Sequence, residues 1–300
     1  MKGITIGTRG SRLALAQTNM IAEKMRQLDP SLRISVKVIK TTGDRFTEAS
    51  ARELAALSKG VFVKEIEEAL FTGEIDLAVH SLKDMPGETP QGLEISAFPP
   101  REDPRDVLVS TQSIASWRDL PKNARIATGS ARRAEQIKQL RPDFEILPLR
   151  GNVDTRIRKL RDQGLDAIVL AAAGLKRMNL EDAISCYLEP EEVVPAPGQG
   201  GLAIETRSNP GNSLPAILKG IDHPETRSAV TAERIFQARM GTGCTFPLGA
   251  YAEIQDDGVV FHYFTAYPEE DRFTSGRLSG SLDDINELAY TAVKRFKENG

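Results

Sequence analysis

Cysteine and histidine are scarce in this chain, and tryptophan is scarcer still. Two cysteines in 300 residues, Cys186 and Cys244, exclude a disulfide framework, and no Cys/His group has the local spacing of a zinc site. No apolar run is long enough to cross a bilayer. The N-terminus passes straight into a strand pattern (Ile4, Ile6) with no apolar signal region, so a reducing cytoplasm is the expected location. The three histidines, His80, His223 and His262, leave little material for Ser/His/Asp hydrolysis. His80 ends an apolar strand and reads as a satisfied core histidine, while His223, before Pro224, reads as a residue at a helix start. There is no phosphate-binding P-loop, and Gly241-Thr242-Gly243 lacks the third glycine and the preceding strand of a dinucleotide fingerprint. A net charge of −3 gives no reason to expect nucleic acid or an anionic membrane as partner.

What remains is a soluble α/β pattern, too long for one hydrophobic core. Ile4 to Thr8 reads as a buried strand. A helix follows, with Leu13, Ala16, Met20, Ile21, Met25 and Leu28 on one face. Arg33 to Ile39 alternates as a strand, Phe62, Ile66 and Leu70 mark a helix, and Ile75 to Val79 is a further strand. Gly43 to Lys59 is weakly patterned and reads as a mobile segment. Strands alternating with helices predict a largely parallel sheet covered on both faces. The pattern then restarts: Arg125 to Ser130 repeats the first strand and turn, a helix runs from Ala131 to Leu140, and Gly164 to Val169 echoes Gly73 to Val79. Two similar domains are expected, with proline-rich crossings near residues 100 and 198 and one more strand, Leu202 to Glu205, after the return. These limits give domain 1 as 1–99 with 200–218 and domain 2 as 100–199. Residues 222–300 change to helix, three strands (near 248, 259 and 272) and a final helix, a small α+β third domain.

Ligands of open α/β sheets bind beyond the carboxyl ends of the strands. Four loops occupy that place: Thr8 to Ser11, His80 to Pro86, Thr128 to Arg133, and Arg150 to Arg156. They offer hydroxyls, helix-start N–H groups and arginines, the parts of an anion site. Arginine outnumbers lysine, and about half of all arginines fall between Arg101 and Arg177, where planar guanidiniums grip carboxylates and phosphates. Asp84 is the odd carboxylate among them, suited to a ligand that is or becomes positive. Cys244 sits in a glycine-flanked turn, Gly241 to Gly249. Its sulfur is open to four readings: nucleophile, metal ligand, covalent anchor or ordinary thiol.

Seven collinear motifs carry a resemblance over nearly the whole chain. They are Gly7-Thr8-Arg9-Gly10-Ser11-Arg12-Leu13-Ala14, His80 to Pro86, Arg101-Glu102-Asp103-Pro104-Arg105-Asp106, Leu149-Arg150-Gly151-Asn152, Ala173-Gly174-Leu175-Lys176-Arg177, Pro197-Gly198-Gln199-Gly200 and the loop around Cys244. Together they closely resemble the porphobilinogen deaminase (hydroxymethylbilane synthase) family. The resemblance implies two domains similar to periplasmic binding proteins, joined by a two-strand hinge around a cleft, plus the small C-terminal domain, in a monomer. It implies a transferase of tetrapyrrole biosynthesis whose dipyrromethane cofactor is held by a thioether to Cys244. Four porphobilinogen molecules are joined head to tail on it with loss of ammonia, and hydrolysis releases hydroxymethylbilane.

The resemblance makes Asp84 the catalytic group, stabilising positive charge on pyrrole nitrogens and moving protons. It places Arg9, Ser11, Lys83, Thr128, Ser130, Arg132, Arg133, Arg150, Arg156, Arg177 and Gln199 on the carboxylates of cofactor and substrate, with no metal, and puts Lys59 in a lid. This chain departs from the family in three places. Leu57-Ser58-Lys59-Gly60 replaces a more glycine-rich segment, Gly129 stands where a serine is common, and Thr245-Phe246 follow the cysteine. The competing class is a non-catalytic two-domain anion-binding protein, which explains the arginines but gives Asp84 and Cys244 no task. A cysteine-nucleophile hydrolase lacks a histidine partner.

Overall fold

The computed structural model describes residues 3–42, 63–209, 214–241, 246–270 and 272–298. Lys59, with the segment read as mobile, and Cys244 lie outside the described residues. The chain forms two compact units, residues 1–101 with 201–227 and residues 102–200 with 228–300. In chain order the first unit supplies β1 (Gly3–Thr8), α1 (Arg12–Leu28), β2 (Arg33–Val38), α2 (Lys64–Phe71), β3 (Leu77–Ser81) and β4 (Leu93–Ala97). There follow β5 (Asp106–Ser110), β6 (Arg125–Thr128), α3 (Ala131–Leu140), β7 (Glu145–Pro148), α4 (Val153–Asp162), β8 (Ala167–Ala171), α5 (Ala172–Arg177) and β9 (Cys186–Leu188). The chain returns as β10 (Leu202–Arg207) and α6 (Leu214–Ile221), then ends with α7 (Pro224–Met240), β11 (Leu248–Gln255), β12 (Gly258–Tyr267), β13 (Arg272–Gly280) and α8 (Ile285–Glu298).

The first unit is built on a five-stranded sheet of order β2-β1-β3-β10-β4. Strands β1, β2 and β3 pair in parallel, while β10 pairs antiparallel with both β3 and β4. Four strands therefore run one way, and the returning strand runs against them. Apolar residues of β1, β3 and β10 (Ile4, Ile6, Leu77, Ile204) meet Ile21 and Met25 of α1 in one core. Each such side chain stabilises by roughly 1.5–3 kcal/mol on burial.

The second unit repeats that sheet as β7-β6-β8-β5-β9, with β5 as the antiparallel strand. The repeat extends to single side chains. Asp76 accepts from Thr5 N at 2.8 Å and returns its own N–H to Thr5 O. Asp166 does the same to Arg125, accepting at 2.7 Å. Both aspartates bracket the start of the next parallel strand, which is why the two echoes in the sequence share an aspartate. The unit also holds the three-stranded antiparallel sheet β11-β12-β13. Its core joins Phe236 of α7, Phe261 of β12 and Val293 of α8.

The crossing near residue 200 is fixed by backbone geometry. Gly200 has φ +83, and an added Cβ would stand 2.2 Å from Glu102 O. Glu102 N donates back to Gly200 O at 3.2 Å, so the two passing segments leave no room for a side chain. Replacing Gly200 with Ala is expected to cost about 1–3 kcal/mol, read as a lowered urea midpoint. An unchanged midpoint would show that the crossing is slack.

Candidate active site

In the first unit the adjacent parallel strands β1 and β3 end side by side, and their following loops share one pocket. Arg9, Ser11, Gln17, His80, Ser81 and Asp84 line it. Ser11 caps α1, its hydroxyl accepting from Ala14 N at 3.2 Å. A hydroxyl that accepts from the backbone still has its own proton to donate, so capping and anion binding are compatible. Gln17 exchanges hydrogen bonds with Ser81 at 2.9 and 3.0 Å and ties α1 to the end of β3. His80 is spent in the core, its Nε2 3.1 Å from Glu205 Oε2 of β10, with both side chains buried. A short 3-10 turn, Leu82–Asp84, then lifts the chain out of the sheet. Leu82 is buried beneath it, Lys83 is half-buried and Asp84 is exposed. The turn thus presents a carboxylate at the pocket rim while its apolar residue anchors it.

The second unit carries the arginines, and it spends two of them on itself. Arg132 and Arg133 in the first turn of α3 are buried around the carboxylate of Asp106, which has no exposed surface. Arg133 donates to Oδ1 through Nε at 3.0 Å and Nη2 at 2.7 Å, and through Nη1 to Val169 O at 3.1 Å. Arg132 pairs with Oδ2 at 2.8 Å as an ion contact without hydrogen-bond alignment, and donates to Val194 O at 2.6 Å. Gln199 donates to Oδ1 and to Pro104 O, both at 2.7 Å. Burial pushes the Asp106 carboxyl up, but the two guanidiniums and Gln199 outweigh it and hold the group well below the usual carboxylate range. Arg132, Arg133 and Gln199, expected on ligand carboxylates, are thus gathered on an internal anion. Asp106 belongs to a motif visible in the sequence, but only the fold brings it under α3. Glu233 of α7 went unnoticed for the same reason. Fully buried, it accepts from Gly198 N at 2.6 Å and Ala252 N at 2.9 Å.

The remaining candidates sit at the ends of β6, β7 and β8. Thr128 accepts from Ser130 N at 3.2 Å. Ser130 caps α3 and Asn152 caps α4. Gly129 passes so close to Leu149 that an added Cβ would stand 2.4 Å from its carbonyl oxygen. The serine common in the family does not fit this backbone, so the glycine reflects a close approach as well as a missing hydroxyl. Arg156 Nε donates to Gly151 O at 2.8 Å. Arg150 is half-buried. Arg177 donates to Gly200 O at 2.6 Å, and its Nε is buried with no partner among the described residues. Burial brings this guanidinium down to about 10, so it remains a cation at neutral pH.

These features define an α/β protein with two repeated sheets, loops bearing hydroxyls and arginines at the carboxyl ends of their strands, and an exposed carboxylate in one loop of the first unit. Residues 4–213 match the family described as porphobilinogen deaminase, dipyrromethane cofactor binding domain, and residues 228–298 match the porphobilinogen deaminase C-terminal domain. The chain belongs to the porphobilinogen deaminase family, whose cofactor is dipyrromethane. Curated relatives named porphobilinogen deaminase include those of Syntrophus aciditrophicus (44% identical over 98% of this chain and 95% of that one) and Roseiflexus castenholzii (46%, 99% and 96%). That of Thermus thermophilus is 43% identical over 100% of this chain and 97% of its own. Among solved structures, a TRAP periplasmic solute binding protein from Desulfovibrio salexigens aligns with TM-score 0.45 and 11% identity over 78% of this chain and 75% of that one. The methionine binding protein MetQ aligns with TM-score 0.43 and 12% identity over 79% and 94%. At that distance no function carries across. Family membership disfavours the non-catalytic alternative.

The Asp106 cluster yields a stability prediction. Asp106→Asn keeps the shape but strands two buried guanidiniums, and should cost about 3–5 kcal/mol in urea unfolding. Because the folded carboxyl is depressed, its contribution is present above the unfolded value of about 4 and is lost as pH falls below it. The wild type should therefore lose more stability than the variant on acidification from about pH 5 to pH 3. Equal slopes would contradict the assignment.

Proposed function

We propose that the chain joins four porphobilinogen molecules head to tail with loss of ammonia and releases hydroxymethylbilane by hydrolysis, working as a cytoplasmic monomer. The observation that carries the reading is the Asp84 carboxylate, held out on its short turn at the rim of a pocket lined by Arg9 and Ser11. The dipyrromethane, held through a thioether to Cys244, supplies the pyrrole end on which the product grows.

Each pyrrole ring brings an acetate and a propionate, so the site needs several cationic or hydroxyl donors and very few anions. Arg9, Ser11 and Lys83 take such carboxylates in the first unit. In the second unit Arg150, Arg156 and Arg177 do so, with the Thr128 and Ser130 hydroxyls. The buried, unpaired Nε of Arg177 supports this fit, since a donor left unsatisfied in the protein is costly unless a ligand completes it. Arg132, Arg133 and Gln199 contribute mainly by holding the start of α3 in place through Asp106.

Asp84 acts on the reacting ring of the substrate. As ammonia leaves, positive charge gathers at the pyrrole nitrogen, and a carboxylate fixed nearby lowers the energy of that state without needing to reorganise. The same oxygen can take up the proton released when the new ring regains aromaticity. Its neighbours are cationic because they serve the ring carboxylates. A single anion at this position therefore acts on the cationic part of the substrate without repelling the whole.

Two measurements test the reading. Asp84→Asn should retain the cofactor and lose about 10²–10³-fold in turnover; turnover near wild type would remove the charge-stabilising role. Intact-protein mass spectrometry should find a dipyrromethane increment on wild type made in cells that produce porphobilinogen, and none on Cys244→Ala. An unmodified wild-type mass would sink the covalent attachment.

A further inference from the structure

The three-stranded sheet carries a cluster that the proposed reaction does not use. Alternation along β12 sends Val259, Phe261 and Tyr263 into the core of the second unit and so turns His262 to the opposite face. His262 pairs in register with Tyr251 of β11, and the two rings stack with centroids 6.0 Å apart. Glu253, two residues beyond Tyr251, lies on that same face. Glu191 arrives from the segment that follows β9.

The imidazole of His262 is only 2% exposed, yet its Nε2 has no hydrogen-bond partner. Glu253 Oε2 stands 3.5 Å from that nitrogen without completing a hydrogen bond. A buried ring nitrogen left unpaired is costly and calls for an explanation. One ligand atom each from Glu191, Glu253 and His262 lies within 4.8 Å of the other two. No lysine or arginine pairs with either carboxylate among the described residues. An ion pair of protonated His262 with Glu253 would satisfy those two groups and leave Glu191 a surplus negative charge beside them.

We propose that Glu191, Glu253 and His262 bind a divalent first-row cation, with Zn2+ the best match. One imidazole nitrogen and two carboxylate oxygens are ordinary zinc donors at about 2 Å, and three protein ligands leave a fourth position for water. Two carboxylates and a neutral imidazole balance the charge of the ion. Mg2+ and Ca2+ fit less well, since they favour all-oxygen shells. The exposed Glu191 side chain is free to swing inward and close the present spacing. Ligands from distant parts of the chain explain why no local spacing in the sequence showed the site. The cation would tie the segment after β9 to β11 and β12, a role in stability rather than in turnover.

The test uses holoenzyme stripped with EDTA and desalted, then titrated with Co2+ and with Zn2+. The expected result is a visible cobalt spectrum saturating at one equivalent, its displacement by Zn2+, and a higher melting temperature with Zn2+. Glu191→Gln, a change at an exposed position, should melt like the metal-free wild type and bind Co2+ at least about tenfold more weakly. Glu253→Gln should behave likewise, so the result does not depend on replacing the buried histidine. Absence of a cobalt spectrum, a spectrum unchanged in both variants, or a thiolate charge-transfer band placing cobalt on cysteine would each overturn the proposal.

Discussion

The second unit depends on one buried carboxylate. Asp106 lies at the start of β5 with Arg132, Arg133 and Gln199 directed at its two oxygens. Charges removed from water gain little net stability over a well-packed apolar core, but a single member cannot be withdrawn without leaving the others stranded. The arrangement therefore acts as a constraint more than as a reservoir of stability. It fixes the antiparallel strand, the first turn of α3 and the turn before the return crossing as one body. Arg132 and Gln136 extend it by bonding Val194 O, and Glu233 receives the neighbouring Gly198 N. The loops at the carboxyl ends of β6 and β7 hang from this fixed point, with Leu149 N closing onto Thr128 O at 3.1 Å.

Much of this architecture was legible in the sequence. The restart of the strand–turn–helix pattern at Arg125 marked the repeat, and the paired Asp76 and Asp166 show that it extends to hydrogen-bonding detail. Helix α3 runs from Ala131 to Leu140 as the sequence pattern places it, and the structure adds Ser130 as its cap. Periodicity reports which face of a strand is buried but not which strand lies beside it, so the antiparallel insertion of β10 and β5 stayed out of view. The same limit hid the partner of each charged residue. Arg132 and Arg133 looked like ligand groups because a guanidinium in a helix-start loop suits either role. Only the fold brings Asp106, 26 residues upstream of Arg132, into their grip. His80 was readable because an apolar strand predicts burial, and burial of a histidine demands a partner.

The functional reading rests on a charge inventory. In the proposed reaction, cations and hydroxyls at strand ends serve a substrate rich in carboxylates, and the arginines that Asp106 does not hold are the ones assigned to it. Arg177, with a buried and unpaired Nε, stands at one extreme, and Arg133, with Nε, Nη1 and Nη2 all engaged, at the other. Against this background Asp84 matters because it is exposed, unlike Asp106, Glu205 and Glu233, whose carboxylates are fully buried. Placement thus separates a carboxylate available to substrate from those committed to the fold.

The central claim is that Asp84 serves every condensation on a protein-bound primer. Rapid-quench intact-protein mass spectrometry with limiting porphobilinogen tests it most directly. The account predicts a ladder of protein masses, each one added pyrrole unit above the last, in the wild type, and a protein stalled at or near the starting mass in Asp84→Asn. A ladder of the same spacing and speed in the variant, or none in the wild type, would contradict it.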